Sequence, residues 1–150
     1  MNLLKQAAKV FADSLFNPGR PSVYVSKGDD VYVLYPGARR GKVDLSGVNL
    51  SGVDLHGIDL RGANLEGARI VDVDLSHADL TGVNLMHARI VDVDLSHADL
   101  TGVNLRSALV SGSKFEGAKL DDVVTREATL DSKAKEYFLP GMFSPRPNPA

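Results

Sequence analysis

Four histidines and a long series of aspartates are the side chains in this sequence with chemistry to offer. His77 and His97 stand twenty residues apart, and each follows an aspartate, Asp72 or Asp92, by five. Two imidazoles helped by a carboxylate can ligate a metal ion. Polar residues so placed more often fill surface corners, and no metal site is assigned; His56 and His87 fall on other positions of the pattern. The phrase DVDLSHADLTG resembles an acidic calcium loop, but its sixth position is His77 where the sharp turn needs glycine, and no glutamate closes it. Cysteine is absent, which excludes disulfides and zinc-thiolate sites. No serine or lysine has an identifiable base and orienting partner. The expectation is a protein without catalytic residues or cofactors, working by binding.

The elements that position these residues come from a repeat. ARIVDVDLSHADLTGVNL occurs at 68–85 and again, unchanged, at 88–105. An apolar residue also recurs at every fifth position: Leu45, Leu50, Leu55, Leu60, Leu65, Ile70, Leu75, Leu80, Leu85, Ile90, Leu95, Leu100, Leu105, Val110, Phe115 and Leu120. Two residues before each sits a small or β-branched one, Ser113 being the polar exception, and Asp or Asn usually lies between. A period of five matches neither a helix nor an unbroken strand. It does match two-residue alternation reset by a turn: in Val53-Asp54-Leu55-His56-Gly57, residues 53 and 55 point inward and 54 outward. Glycine suits the turn position because it tolerates positive φ. Where glycine is missing the position holds Asp72, His77, His87, Asp92, His97, Ser107 or Asp122.

These residues resemble the pentapeptide repeat family, whose consensus is Ala-(Asp/Asn)-Leu-x-x, over about residues 43–130. The resemblance implies an all-β fold, a right-handed quadrilateral β-helix of about four and a half coils, with four five-residue sides making a circuit of twenty. An offset of twenty is then one whole coil, so the second copy lies over the first with every column preserved. The copy reads as the insertion of one coil.

Columns of residues twenty apart follow from that circuit. Asp54, Asp74 and Asp94 form one outward acidic column, and Asp59, Asp79 and Asp99 form another on the next face. The column before them holds Arg69, Arg89 and Leu109, flanked by Val71 and Val91 and near Met86. Apolar residues at outward corners are the best candidate for a protein contact. The alternative is that a duplicated coil repeats one odd corner.

The flanks read as caps. Over residues 1–42, Leu3, Leu4, Ala7, Ala8, Phe11 and Leu15 share one face of an amphipathic helix, and SVYVSKGDDVYVLY alternates as a β-hairpin around Lys27-Gly28-Asp29-Asp30. After Leu120 the register is expected to fail at Thr125 and to recover in part with Ala128 and Leu130. Residues 131–150 predict a short helix over 131–138, then an apolar cluster of Tyr137, Phe138, Leu139, Met142 and Phe143 and a proline-rich tail. That cluster is expected to cap the last coil or to form a homodimer or docking contact, since proteins of the resembled family pair through this end.

Charge bounds the partners. Residues 1–42 carry seven Lys/Arg against three Asp/Glu, and residues 43–130 carry seven against fourteen. An acidic body argues against direct nucleic-acid binding, which needs clustered cations. The N-terminal segment is broken by Lys5, Gln6, Lys9 and Asp13, and no apolar run reaches bilayer length, so a cytoplasmic location without membrane insertion is expected. The function expected is a non-enzymatic scaffold that binds a protein whose identity the residues do not give, as part of a larger assembly. The rival implied by the resemblance is an acidic mimic of duplex DNA that occupies an enzyme such as DNA gyrase.

Overall fold

The computed structural model of the protein describes residues 22–39 and 41–139. The expected N-terminal helix and the residues Met142 and Phe143 lie outside that range. A hairpin opens the described chain: β1 (Val23–Lys27) pairs antiparallel with β2 (Asp30–Leu34), Lys27 facing Asp30 across a loop of Gly28 and Asp29. Val25, Val31 and Val33 are buried, as alternation along a half-covered sheet requires, and Leu34 at the strand end is buried as well. Lys27 ties the hairpin to the first coil through Asp44 Oδ1 (2.5 Å) and the Ser46 hydroxyl.

From there the chain winds so that each residue pairs in parallel with the one twenty positions later. Four short strands, β3 (Arg69–Val71), β4 (Arg89–Val91), β5 (Leu109–Ser111) and β6 (Thr129–Leu130), stack in that order. The register sets Ile70 on Ile90, Ile90 on Val110 and Val110 on Leu130. Single bridges such as Asp54 to Asp74, Asp79 to Asp99 and Asn84 to Asn104 repeat the offset around the rest of each coil. Residues 68–85 therefore pair position by position with their own copy.

One hydrogen-bond scheme serves most units, and those centred on Ile70, Ile90 and Val110 bend without its turn bond. In the unit centred on Leu55, Leu55 N donates to Asp74 O (2.8 Å), Gly57 N to Ser76 O (2.8 Å), and Asp74 N to Val53 O (3.1 Å). Ile58 N closes the turn on Leu55 O (3.1 Å). The turn residue must take positive φ, as every glycine of the repeat does, and Asp72, His77, His87, Asp92, His97, Ser107 and Asp122 join them at φ of 53–59°. Such a conformation costs a non-glycine residue roughly 1–2 kcal/mol, so the inter-coil bonds on either side must hold it.

Of the sixteen apolar centres, fifteen are buried, and only Leu120, near the last turn of the array, is half-exposed. Ser113 is buried with its polarity satisfied: its hydroxyl accepts from Val93 N (3.2 Å) and donates to Ser111 O (3.3 Å).

The coil extends past the bounds that residue types suggest. Parallel pairing begins at Arg39, bridged to Asp59, with Ala38 buried beside it. At the far end the backbone does not lose register at Thr125. Val124 pairs with Asn104, Glu127 takes φ 62°, and Thr129 pairs with Leu109, so the break is one of side-chain type alone.

Helix α1 (Ser132–Phe138) closes this end. Asp131 is its N-cap, accepting from Ala134 N (2.8 Å), while its second oxygen accepts from Gly112 N (2.7 Å). Phe115 meets Phe138 edge to face at 5.0 Å and Tyr137 at 5.5 Å. Among the described residues no helix is long and apolar enough to cross a membrane.

Two outcomes test this construction. Deleting residues 88–107 removes one coil in frame, and circular dichroism should keep its β signature. Leu95→Ala leaves a gap at a site 3% exposed, and chemical denaturation should show a loss of about 2–5 kcal/mol.

Candidate functional site

The outward position of each unit precedes a turn, and where it holds Asp or Asn the side chain is recruited to that turn. Asp74 Oδ1 accepts from Ser76 N (2.9 Å), Asp79 Oδ1 from Thr81 N (3.1 Å), Asp94 Oδ1 from Ser96 N (2.9 Å) and Asp99 Oδ1 from Thr101 N (3.0 Å). Asp54 and Asp59 repeat the bond with His56 N and Arg61 N, both at 3.1 Å. Short side-chain oxygens serve this purpose well because they reach the backbone two residues on without distortion.

Both acidic columns also meet cations. Arg61 lies 2.8 Å from Asp59 and 3.4 Å from Asp79, and Lys119 3.2 Å from Asp99. Lys114 stands 3.8 Å from Asp94, and His56 Nδ1 2.8 Å from Asp54 Oδ1. Each column ends on a lysine, Asp94 pairing with Lys114 and Asp99 with Lys119. Counting forward by twenty would have found both lysines; the reach of Arg61 across two coils has no such signal. A third polar column is an amide ladder, in which Asn84 Nδ2 donates to Asn64 Oδ1 (3.1 Å) and Asn104 Nδ2 to Asn84 Oδ1 (3.4 Å).

These contacts hold carboxyl pKa values below their ordinary range. Asp44 falls to about 2, led by its bond to Lys27. The bond to His56 lowers Asp54, that to Arg61 lowers Asp59, that to Ser96 lowers Asp94, and that to Thr101 lowers Asp99. For Asp131, burial pushes the other way and the N–H groups of Ala134 and Gly112 outweigh it.

The candidate contact stripe differs in kind. Arg69 and Arg89 are exposed and are direct partners between β3 and β4, with Leu109 next on β5. Val71 and Val91, paired in the same register, are half-buried. Ile-Val at 70–71 and 90–91 favours extended backbone, which is why strand pairs form on this face. Met86 lies across the turn from Arg89 on the preceding column, half-buried, where Arg106 is its neighbour one coil on. Among the described residues neither the Arg69 nor the Arg89 guanidinium has an ion-pair or hydrogen-bond partner.

The histidine pair stacks rather than converges: the His77 and His97 rings lie 5.0 Å apart at 16°. Parallel rings direct their nitrogen lone pairs along parallel planes, which suits packing better than shared ligation. The stack ends at Gly117, where an added Cβ would stand 2.4 Å from His97 Nδ1. Among the described residues, Asp54, His56 and Asp74 are the set whose donor atoms come within 4.8 Å of one another, the first two exposed and Asp74 half-buried. Tyr137, Phe138 and Leu139 pack partly buried against the core.

Comparison with known proteins follows this geometry. The family model described as Pentapeptide repeats matches residues 41–67, 68–106 and 88–124, in eight copies. No curated protein matches the sequence. A pentapeptide repeat protein from the cyanobacterium Cyanothece 51142 is 22% identical, over 63% of this chain and 88% of that one, with a TM-score of 0.42. A pentapeptide repeat protein of the Arabidopsis thaliana thylakoid lumen is 31% identical over 63% and 72%, with a TM-score of 0.41. A plasmid-mediated fluoroquinolone resistance protein is 15% identical over 75% and 89%, with a TM-score of 0.26.

The lowered carboxyl values fix an acid response. Each of these groups ionises at lower pH folded than unfolded, so its stabilisation is complete above the unfolded value near ~4 and is lost as pH falls through the folded one. Thermal melts should hold level down to about pH 4 and then fall steadily toward pH 2.

Proposed function

The chain belongs to the pentapeptide repeat family, and from that premise we propose that it is a non-enzymatic scaffold, a right-handed quadrilateral β-helix that binds another protein through the stripe of Arg69, Val71, Met86, Arg89, Val91 and Leu109. One observation carries the reading. The aspartates of both acidic columns are engaged at their turns, whereas Arg69 and Arg89, one coil apart, have no partner among the described residues. A planar guanidinium with five donors is a strong recognition group when a carboxylate or carbonyl can meet it. Beside it the half-buried Val71 and Val91 supply apolar area that a partner would remove from water.

The same observation weighs against the duplex-mimic reading. A mimic needs a sustained run of free negative charge, and here Arg61, Lys114 and Lys119 interrupt both acidic columns. Stacked carboxylates ~4.8 Å apart repel by under ~1 kcal/mol in water, so the columns are tolerable as structure without a cationic ligand. We place the scaffold in the cytoplasm, within a larger assembly.

Cross-linked capture from the native source should retain a specific protein with the unaltered chain and lose it with Arg69→Ala/Arg89→Ala, while the melting temperature stays unchanged. An arginine hot spot is worth about 2 kcal/mol or more, so affinity should drop roughly thirtyfold. Equal capture by both forms removes the stripe from the proposal. Competition with DNA for gyrase, relieved by Asp→Asn at Asp74, Asp79, Asp94 and Asp99, would establish the rival.

A further inference from the structure

The stripe has a pattern that its use as a protein contact does not require. Along the chain, an outward arginine is followed by an outward valine and then by two carboxylates: Arg69, Val71, Asp72, Asp74, repeated one coil on as Arg89, Val91, Asp92, Asp94. The surface therefore turns one corner, from a basic column on one side, over valine and aspartate at the corner, to an acidic column on the next side, on two rungs ~4.8 Å apart. Arg69 and Arg89 lack partners among the described residues, and Asp72 and Asp92 are exposed.

Such a strip is complementary to itself. Half a turn about an axis parallel to the solenoid axis, along which the coils stack, lays a second copy against it with the column order reversed and the heights kept. Valine then meets valine, and each arginine column faces the other copy's carboxylates rung by rung. A two-fold axis lying in the plane of a coil would instead set arginine against arginine. We propose that this strip is a homotypic interface: two copies of the chain lie side by side, coils parallel, with Arg69 and Arg89 of each facing Asp72, Asp74, Asp92 and Asp94 of the other.

The contact is isologous and closes at two subunits. It rests on the stripe being a protein contact and names the occupant as a second copy. The duplicated coil gains a purpose, since one coil supplies one rung and the copy supplies the second. Two rungs fall well short of the roughly 800 Å² per partner of a stable complex, so the pair is reversible and forms with rising concentration. Charge supplies its specificity, and salt weakens it.

Sedimentation velocity across a concentration series should show the 16.0 kDa chain moving toward twice its mass in low salt and returning in high salt. Arg69→Glu/Arg89→Glu makes the strip wholly acidic. Asp72→Asn/Asp74→Lys/Asp92→Asn/Asp94→Lys makes it basic, using asparagine at the left-handed positions and lysine in a column that already carries Lys114. Each variant alone should stay monomeric with an unchanged circular dichroism spectrum, and an equimolar mixture should recover the paired species. The acidic variant keeps every turn-capping aspartate, so its behaviour is decisive even if the basic one folds poorly. Deleting residues 88–107 should weaken pairing while the fold persists.

Pairing that survives in the acidic variant, or a mixture that stays monomeric with both variants folded, overturns the proposal. So does a wild-type chain monomeric at every concentration; if stripe variants still lose a foreign protein, self-pairing fails and the scaffold reading stands. Self-pairing through the stripe with no foreign protein captured gives the opposite division.

Discussion

Backbone pairing across a circuit of twenty residues is the constraint on which the rest of the structure depends. The unit at Leu55 sends three hydrogen bonds to neighbouring coils and keeps one for its own turn, whereas the units at Ile70, Ile90 and Val110 bend without that turn bond and rely on the strand pairs of their face. A buried amide left without a partner is costly, so an insertion that is not a multiple of five would misalign every bond beyond it, and one that is not a multiple of twenty would move side chains to other columns. The apolar centre, the small residue before it, the outward oxygen and the left-handed turn are the residue types that this ladder tolerates at its successive positions.

That constraint divides the polar surface in two. The aspartate and asparagine oxygens are taken up by the turns, accepting from the N–H two residues on, so much of the acidity of this chain is a by-product of how its turns are closed. Among the described residues, Arg69 and Arg89 stand outside that economy of donors and acceptors. The charge that counts for recognition is thus the smaller one: the exposed side chains the fold does not use say more about partners than the net balance does.

The fold was largely legible in residue types because burial and turn geometry act locally. A five-residue period located the buried centres, and the non-glycine turn positions from Asp72 to Asp122 could be read from where glycine was missing. What escaped was whatever the backbone does regardless of side chain. Thr125 and Glu127 look like a lost register, yet the ladder passes through them because N–H and C=O groups carry no sequence identity. For the site, the stripe residues were legible as positions. Their isolation was not, because whether a guanidinium is satisfied depends on reach across coils, as Arg61 shows by touching Asp59 and Asp79 while Arg69 touches neither neighbour's acid.

Asp131 has a consequence for how such a chain changes size. Its carboxylate takes the hydrogen of Gly112 where a further winding would have offered a carbonyl, and with the same group it starts the closing helix. The terminus is thereby a finished seal, hard to lengthen from outside without breaking two bonds at once. Growth is free only in the middle, by whole windings slipped between seals that never notice them, which makes height a heritable quantity that advances in fixed steps.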